Sequence, residues 1–442
     1  MQSAYRKAIS AFNQCSFSPN INKVTRRFTQ KHLMRLAVFT SQFPGRVNTF
    51  FARDIRPLLE AGIEIDIFPI YPLDPSLWKF VPDILGEDFF PRKRIHHLDL
   101  PHDLRYTNRI SFPQLRIFLK DTFHITASAL RYGVGPVSKS AYVFLKALAW
   151  SHQCSDKYDH ILGYWGNYAA TCAYVFHRLM NRKVPFSIFL HAGTDLYRTP
   201  VYMRQKLLYS NNIITCTEFN RKFLQERYSD IFPLISDKIF VHLHGLDLSV
   251  LTFDPKNRPP GKILAVGNFS KNKGFDFLLR AACELKHGGV DAEFMLVGDG
   301  EEMNNLRKLA SELDISEKVS FPGWIMPDEV QSAMRKATIL VHPSTGLGDG
   351  VPNVIKEAMA IGTPVIASRV AGIPGMLDDG RCGLLVPPQN VTELAKAIKT
   401  LLADHPLRLQ FANAARDHTE KHFDLWRNGQ CLANRLLSTT PL

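Results

Sequence analysis

The sequence lacks several features that mark whole classes of protein. No run of about 18 uninterrupted apolar residues occurs, so no segment is predicted to cross a membrane as a helix. Its seven cysteines are scattered and none forms a Cys-x-x-Cys pair, which argues against a disulfide framework or a zinc ribbon. Buried thiols in a reducing cytosol fit this usage better. Acidic residues are missing from the first 53 positions, and the first one is Asp54.

The basic charge lies entirely in the first half of the chain. The 442 residues include 54 Lys+Arg and 41 Asp+Glu, a net charge of +13. Residues 1–250 carry the whole of this excess, and residues 251–442 are neutral. Such asymmetry points to a nucleic-acid or membrane-surface partner, or to nothing more than a solvated basic face. The hydrophobic content of 45% is ordinary for a globular protein, and the length predicts two domains or three.

Residues 1–33 are predicted to be a basic, disordered extension. The segment has six basic residues and no acid, and it lacks the apolar core of a secretory signal. It is either a tail, weakly similar to an organelle transit peptide, or a stretch preceding a true start at Met34.

From residue 34 onward, short apolar runs alternate with helical stretches, which predicts parallel sheets covered by helices on both faces. The Pro-rich stretch 251–261 is the best linker candidate. We therefore predict an α/β protein with two Rossmann-like domains facing each other across a cleft, at residues 34–250 and 262–421. Residues 422–442 are predicted to form a helix that returns to the first domain. The predicted strands are 36–40, 64–70, 160–164, 186–190, 213–216, 239–242, 262–266, 293–297, 319–321, 338–342, 363–368 and 384–386.

The sharpest motif surrounds the start of a predicted helix in the second half. Gly350 permits a tight turn and Pro352 suits a first helical turn, whose exposed N–H groups form an anion site. Asp349 precedes this turn, and Glu357 follows about two helical turns later. Two carboxylates so placed could hydrogen-bond hydroxyls on either side of a bound phosphate. The alternative is a capped helix with an incidental glutamate.

Three further motifs follow predicted strands. The loop 267–274 offers lysines that could neutralise a diphosphate, or it is a solvated turn. In the loop 41–45, Gly45 permits close backbone approach. In the loop 191–195, His191 and Asp195 are either site residues or, respectively, a satisfied core histidine and a helix cap.

Taken together, the four motifs resemble those of the retaining glycosyltransferases of family 4, which have the GT-B fold. The family's two acidic residues eight positions apart, flanking Gly-x-Pro, match Asp349, Gly350, Pro352 and Glu357. Its Val-Gly-Arg…Lys-Gly pattern matches at 266–267 and 273–274. Further matches lie at 297–300, 343–344, 357–365, 371–374 and 383–387. The resemblance is dense over 240–390 and looser over 34–240.

The resemblance implies a role for each matching residue. Glu357 would hold the ribose hydroxyls of a UDP- or GDP-linked sugar, and Asp349 a hydroxyl of the sugar. Lys273 and the N–H groups of Gly350 and Val351 would stabilise the leaving diphosphate. The N-domain loop would approach this diphosphate through Gly45. His191 would lie near the anomeric carbon, with Asp195 supporting its loop.

Two departures from the family pattern affect the predicted donor site. Asp349 is one methylene shorter than the usual Glu. Asn268, beside Gly267, replaces the usual Arg and so removes a permanent charge and a bidentate donor.

No metal or other cofactor is expected. No two aspartates are separated by one residue, so the Asp-x-Asp of metal-dependent transferases is missing. His96-His97 and the pair His242 and His244 have no carboxylate cluster at ligand spacing, so we interpret them as structural or solvated.

The resulting prediction is a cytoplasmic hexosyltransferase acting in lipopolysaccharide or exopolysaccharide biosynthesis. Its acceptor would be a glycan or a lipid-linked sugar, and it could be peripheral on the inner membrane face. The apolar, basic segment 101–150 would contact anionic lipid, or it simply covers the sheet. A nucleotide-sugar epimerase and a non-catalytic nucleotide-sugar-binding subunit are the alternatives; no nucleic-acid recognition motif occurs.

Overall fold

The computed structural model describes residues 33–45, 49–80, 91–98, 111–154, 157–180, 183–256 and 258–441. The predicted extension therefore lies outside the described residues, except for Leu33. So do residues 101–110 of the predicted membrane-contact segment. Within the described part, no helix is both long and apolar enough to span a bilayer.

The N-terminal unit is built on a six-stranded parallel sheet with strand order β2-β1-β3-β4-β5-β6. The central strands are mostly apolar and are buried throughout, because helices cover both faces of the sheet. The strands are β1 (Arg35–Thr40), β2 (Glu64–Pro69), β3 (His160–Tyr164), β4 (Phe186–Leu190), β5 (Asn212–Thr215) and β6 (Ile239–Val241). The helices are α1 (Thr49–Glu60), α2 (Phe112–Leu130), α3 (Val134–Cys154), α4 (Tyr168–Leu179), α5 (Met203–Tyr209), α6 (Glu218–Arg227) and α7 (Phe232–Ile235).

The C-terminal unit repeats this design with strand order β12-β11-β10-β7-β8-β9. Its strands are β7 (Lys262–Val266), β8 (Glu293–Val297), β9 (Val319–Gly323), β10 (Ile339–His342), β11 (Val365–Ser368) and β12 (Leu384–Val386). The helices of this half of the chain are α8 (Phe275–His287), α9 (Met303–Glu312), α10 (Pro327–Lys336), α11 (Asn353–Ile361), α12 (Ile373–Met376), α13 (Val391–Ala403), α14 (His405–His422) and α15 (Leu425–Leu437).

The strand order reverses at β1 in the first sheet and at β7 in the second. In open parallel sheets, ligands bind beyond the carboxyl ends of the strands at such switch points. The four predicted motif loops follow β1, β4, β7 and β10, so the fold places all of them at carboxyl edges. The predicted fold class is confirmed, and five predicted strands (160–164, 186–190, 262–266, 293–297 and 384–386) match the observed bounds.

The last helix begins three residues later than the predicted 422. The chain leaves α14 at His422 because Phe423 and Leu425 pair with Leu246 through backbone hydrogen bonds of 2.7 and 3.0 Å. Asp424 then caps α15 by accepting the N–H of Arg427. The buried side chains of α15 pack with those of β1 and α1, so this helix shares the core of the N-terminal unit.

One glycine allows α15 to approach α1. A Cβ added to Gly429 would lie 2.1 Å from Cβ of Pro57, well inside contact distance. Gly429→Ala is therefore expected to lower the free energy of unfolding by about 1–3 kcal/mol, measured by urea denaturation.

The matched control is Gly375→Ala on α12, where an added Cβ would meet no heavy atom within 4 Å. This variant is expected to be as stable as the parent or slightly more stable. Equal stability of the two variants would contradict close packing of α15 on α1.

Candidate functional site

The motif that runs from Asp349 to Glu357 leads into α11, as its sequence predicts. Pro352 is the N-cap residue, and its φ of −66° suits the approach to the helix. A Cβ added to Gly350 would lie 3.1 Å from Cβ of Ala192, so this loop touches the 191–195 loop of the other unit. Val351 packs against the hydrophobic cores of both units. The motif thus lies at the junction of the two units.

Asp349 is a buried carboxylate that accepts hydrogen bonds from two side chains. Its Oδ2 accepts hydrogen bonds from Nε2 of His342 and from Nζ of Lys273, the latter at 2.8 Å. Burial alone would raise the pKa of Asp349, but His342 and Lys273 outweigh it and hold the pKa well below its usual range. Asp349 is therefore ionised at neutral pH.

Lys273 is positioned by a tight turn that requires glycine. Residues Lys271–Lys273 form one 3₁₀ turn, which Gly274 ends at a left-handed φ of +68°. A Cβ at Gly274 would lie 2.1 Å from the carbonyl oxygen of Pro343, so a larger residue would push the turn away from the loop after β10. Asn268 is exposed, and Gly267 lies beside the aliphatic part of Lys273.

His191 is buried, yet it has unused polar atoms. Its ring packs against Trp165, Phe189 and Phe50. Neither Nδ1 nor Nε2 has a hydrogen-bond partner in the described part of the chain. Since unpaired buried nitrogens are costly, the ring is suited to meet polar atoms of a ligand.

Asp195 fastens the loop that carries His191. Its Oδ2 accepts the backbone N–H groups of His191 at 2.9 Å and of Gly166 at 3.1 Å. The side chain is fully buried in a short π-helical turn, Thr194–Arg198. This contact joins the loops after β3 and β4.

The loop after β3 is strained and anchored by a buried lysine. Trp165 has a φ of +146°, which is rare for a residue with a side chain. Lys206 donates hydrogen bonds to the carbonyl oxygens of Gly166 at 2.6 Å and Asn167 at 3.2 Å. Burial lowers the pKa of Lys206 to about 7. This anchor keeps Trp165 in place against the imidazole of His191.

Glu357 receives a cation from the other unit, which the sequence analysis missed. Nη2 of Arg53 on α1 donates to Oε1 of Glu357 at 2.8 Å, across a separation of 304 residues. No local pattern around Arg53 gives a signal for this pairing. The salt bridge connects the N-terminal unit to the middle of α11.

Asp54, the residue after Arg53, lies at the centre of a buried network. Its carboxylate accepts from the Tyr164 hydroxyl at 2.6 Å and from His242 and His244, both at 2.9 Å. Burial would raise the pKa of Asp54, but His244 and His242 hold it well below its usual range. The sequence has no carboxylate at ligand spacing from His242 and His244, but the fold brings one in from 188 residues away. Since both oxygens of Asp54 are occupied by hydrogen-bond donors, the group fits a structural network better than a metal site.

His244 connects Asp54 to His191, the residue predicted to contact the sugar. Its ring stacks parallel to that of His191, with centroids 5.2 Å apart. Burial lowers the pKa of His244 to about 4, so this ring is neutral. Nζ of Lys356, adjacent to Glu357, donates to the carbonyl oxygen of His244 at 2.8 Å. Burial also lowers the pKa of Lys356 to about 7.

The structure thus brings His191, Asp195, Lys273, Asp349, Gly350 and Glu357 to one junction between the two sheets. Gly45 lies buried after β1, and the three residues that follow it are outside the described part. Its approach to a ligand remains a prediction. The arrangement offers paired carboxylates, two cations and the N–H groups of a helix start, a chemistry suited to a ligand with hydroxyls and an anionic group.

Comparisons with known proteins find glycosyltransferases. Residues 260–404 match the family model described as glycosyl transferases group 1. The lipopolysaccharide core biosynthesis glycosyltransferase LpsE of Rhizobium meliloti is 31% identical over 205 residues, 46% of this chain and 58% of LpsE. The amylovoran biosynthesis glycosyltransferase AmsK of Erwinia amylovora is 24% identical over 411 residues, 88% of this chain and 96% of AmsK.

The chain spans about half the length of the curated relatives it matches at 31% identity. Among solved structures, Anabaena Alr3699/HepE in complex with UDP superposes with a TM-score of 0.65 at 17% identity, over 92% of this chain and all of HepE. At this identity the likeness concerns the fold alone. Residues 260–404 are therefore similar to the group 1 glycosyltransferases, within a chain that has the GT-B fold.

Proposed function

We propose that the protein is a retaining glycosyltransferase of family 4 that uses a UDP- or GDP-linked sugar. The observation that carries this proposal is the meeting of the 191–195 loop with the Asp349–Glu357 segment, with Lys273 beside Asp349. Groups from both units therefore meet at one junction. HepE, which shares the fold, was solved with UDP and also with UDP-glucose, and this supports a nucleotide-sugar donor.

The donor would bind through both carboxylates. Arg53 holds Oε1 of Glu357, which orients the carboxylate so that its other oxygen can accept the ribose hydroxyls. Asp349 would accept a hydroxyl of the sugar, and the shorter side chain would favour a sugar that sits closer to the loop. The unpaired nitrogens of His191 would contact the sugar near its anomeric carbon.

Catalysis would come from stabilising the leaving diphosphate. Lys273, from the turn after β7, and the N–H groups of Gly350 and Val351, just before α11, would be the donors. The acceptor hydroxyl would attack on the face from which the diphosphate departs and would give its proton to the departing phosphate. No protein nucleophile takes part in this mechanism. The positive charge comes from Lys273, which fits the missing Asp-x-Asp.

The acceptor would be a lipid-linked or polysaccharide glycan at the inner membrane face. LpsE and AmsK, named for lipopolysaccharide core and amylovoran biosynthesis, support this class. One face of α2 supports the membrane contact, because its apolar side chains point to solvent next to the exposed basic residues Arg116 and Lys120. The exposed apolar residues of α2 are Phe112, Leu115, Leu119, Phe123 and Leu130.

The activity itself is tested by a thermal-shift screen with UDP- and GDP-sugars, followed by transfer of labelled sugar to lipid-linked acceptors. The product should keep the anomeric configuration of the donor, as seen by NMR. Conversion of the donor sugar without an acceptor would instead indicate an epimerase. Binding of the donor with neither reaction would indicate a non-catalytic subunit.

Lys273→Ala should lower kcat/KM for transfer by about 100-fold or more, because it removes a cation from the leaving group. The matched control is Lys308→Ala on α9, an exposed lysine of the same unit. Steady-state kinetics of the two variants checks this. A loss of less than about threefold for Lys273→Ala would refute its role in catalysis.

Arg53→Gln should raise KM for the donor about tenfold while changing kcat less, because Glu357 loses its orienting partner. Arg53→Lys should restore part of the affinity, because it returns the charge without the guanidinium geometry. If Arg53→Gln leaves the KM for the donor unchanged, Arg53 does not position Glu357.

The double variant Arg116→Glu/Lys120→Glu should weaken binding to vesicles of phosphatidylglycerol and phosphatidylcholine by at least tenfold. Phe123→Ser should weaken binding too, since its side chain is 69% exposed. The control Lys308→Glu/Lys396→Glu makes the same charge change on the exposed surface of the C-terminal unit. Equal vesicle binding by the two charge variants in a sedimentation assay would show that α2 is not the contact surface.

A further inference from the structure

Three side chains of metal-ligating type meet on the C-terminal unit, and none belongs to the cleft described above. They are Asp378, Cys382 and His418, and one ligand atom from each lies within 4.8 Å of the others. Asp378 and Cys382 come from the segment between α12 and β12, and His418 comes from α14. Cys382 is fully buried, whereas Asp378 is partly exposed.

The backbone before Cys382 is unusual. Asp378 and Asp379 have φ values of +47° and +52°, a left-handed conformation that non-glycine residues rarely adopt in succession. At the rim, Asp378 pairs with Nη1 of Arg381 at 3.1 Å. The Cys382 thiol donates a weak hydrogen bond to the carbonyl oxygen of Ala414 at 3.5 Å. Thus the strained turn holds the carboxylate and the thiol on the side that faces α14.

A fourth candidate ligand lies on the same helix, outside the group of three whose ligand atoms lie within 4.8 Å of one another. His422 lies four residues after His418, and their rings are 4.5 Å apart. Two histidines at this spacing share one helix face, an arrangement that binds zinc in other proteins.

We propose that Asp378, Cys382, His418 and His422 bind one Zn²⁺ ion in a structural site. A thiolate with two imidazoles and a carboxylate makes a four-coordinate donor set suited to zinc. The sulfur and nitrogen donors disfavour Mg²⁺ and Ca²⁺, which prefer oxygen. On binding, the S–Zn bond replaces the S–H bond of Cys382, the proton goes to solvent, and the hydrogen bond to Ala414 is given up.

Zinc at this place would connect two segments that support the cleft. Helix α14 packs on α11, the helix that carries Glu357, and Nη1 of Arg416 on α14 donates to the carbonyl oxygen of Ala360 on α11 at 2.8 Å. The other segment starts at Gly372, where an added Cβ would lie 2.4 Å from the carbonyl oxygen of Gly350. The ion would therefore stabilise the C-terminal unit without contacting a substrate.

The test uses the full chain, freed of metal with a chelator and titrated with Co²⁺. Binding of one equivalent should produce visible d–d bands and a thiolate-to-cobalt charge-transfer band in the near ultraviolet. Added Zn²⁺ should remove both, and Zn²⁺ alone should raise the thermal midpoint by several degrees. Neither readout depends on transferase activity, so the result is separate from the proposed function.

The variant Cys382→Ser should abolish the charge-transfer band, and His418→Gln should weaken Co²⁺ binding at least tenfold. The matched control is Cys283→Ser, which removes a thiol that lies 3.8 Å from His287 on α8. This control should keep the band. Circular dichroism of each variant verifies that it is folded. The proposal is overturned if the parent shows no charge-transfer band at one equivalent, if folded Cys382→Ser retains it, or if Cys283→Ser removes it.

Discussion

Asp54 is a buried carboxylate, and its three hydrogen-bond partners come from two separate parts of the N-terminal unit, the end of β3 and the segment after β6. Tyr164 ends β3, His242 follows β6, and His244 lies in the segment that leads to the second unit. A buried carboxylate is tolerated only when it is fully hydrogen-bonded, so these segments must take these positions for α1 to dock. The ring of His244 then stacks on His191. In this way one carboxylate determines where the imidazole of the cleft can lie.

The residue before Asp54 acts on the other unit. Successive residues of a helix point about 100° apart, so Asp54 can face the interior while Arg53 faces the cleft. Arg53 reaches Glu357, and Lys356 reaches back to the carbonyl oxygen of His244. Two neighbouring residues on α1 are therefore linked to two neighbouring residues on α11. Arg53 contacts Glu357 directly, and Asp54 is linked to Lys356 through His244. These contacts cross the junction in both directions, which fixes the separation of the two sheets at the cleft.

Much of the fold could be predicted from the sequence because its signals are local. Alternation of apolar runs and helices, Gly and Pro at helix ends, and motif loops after strands all operate within about 20 residues, and strands such as 186–190 and 293–297 were predicted with their observed bounds. The cleft residues that were missed share the opposite property. Arg53 and Glu357 are 304 residues apart, and Asp54 and His242 are 188 apart. Such pairs depend on how two sheets are oriented, which no local pattern encodes. The one available signal was Lys356, a lysine beside Glu357 in a helix that is otherwise mostly apolar.

The pairing of charges in the cleft also explains where the basic excess of the chain is found. Lys273 is matched by Asp349, and Arg53 is matched by Glu357. A nucleotide sugar would therefore meet a site that is close to neutral. Its diphosphate would be held by directed N–H groups and Lys273, and its hydroxyls by the two carboxylates, rather than by net charge. The C-terminal half of the chain, with 22 basic and 22 acidic residues, agrees with this arrangement. Because the cleft is close to neutral, long-range attraction of an anionic partner would come from the N-terminal half, whose residues 34–250 carry a net charge of +7. Since exposed charges act over about 8–10 Å in physiological salt, this excess is felt by a surface that comes close to the N-terminal unit and hardly at all by a nucleotide in the cleft.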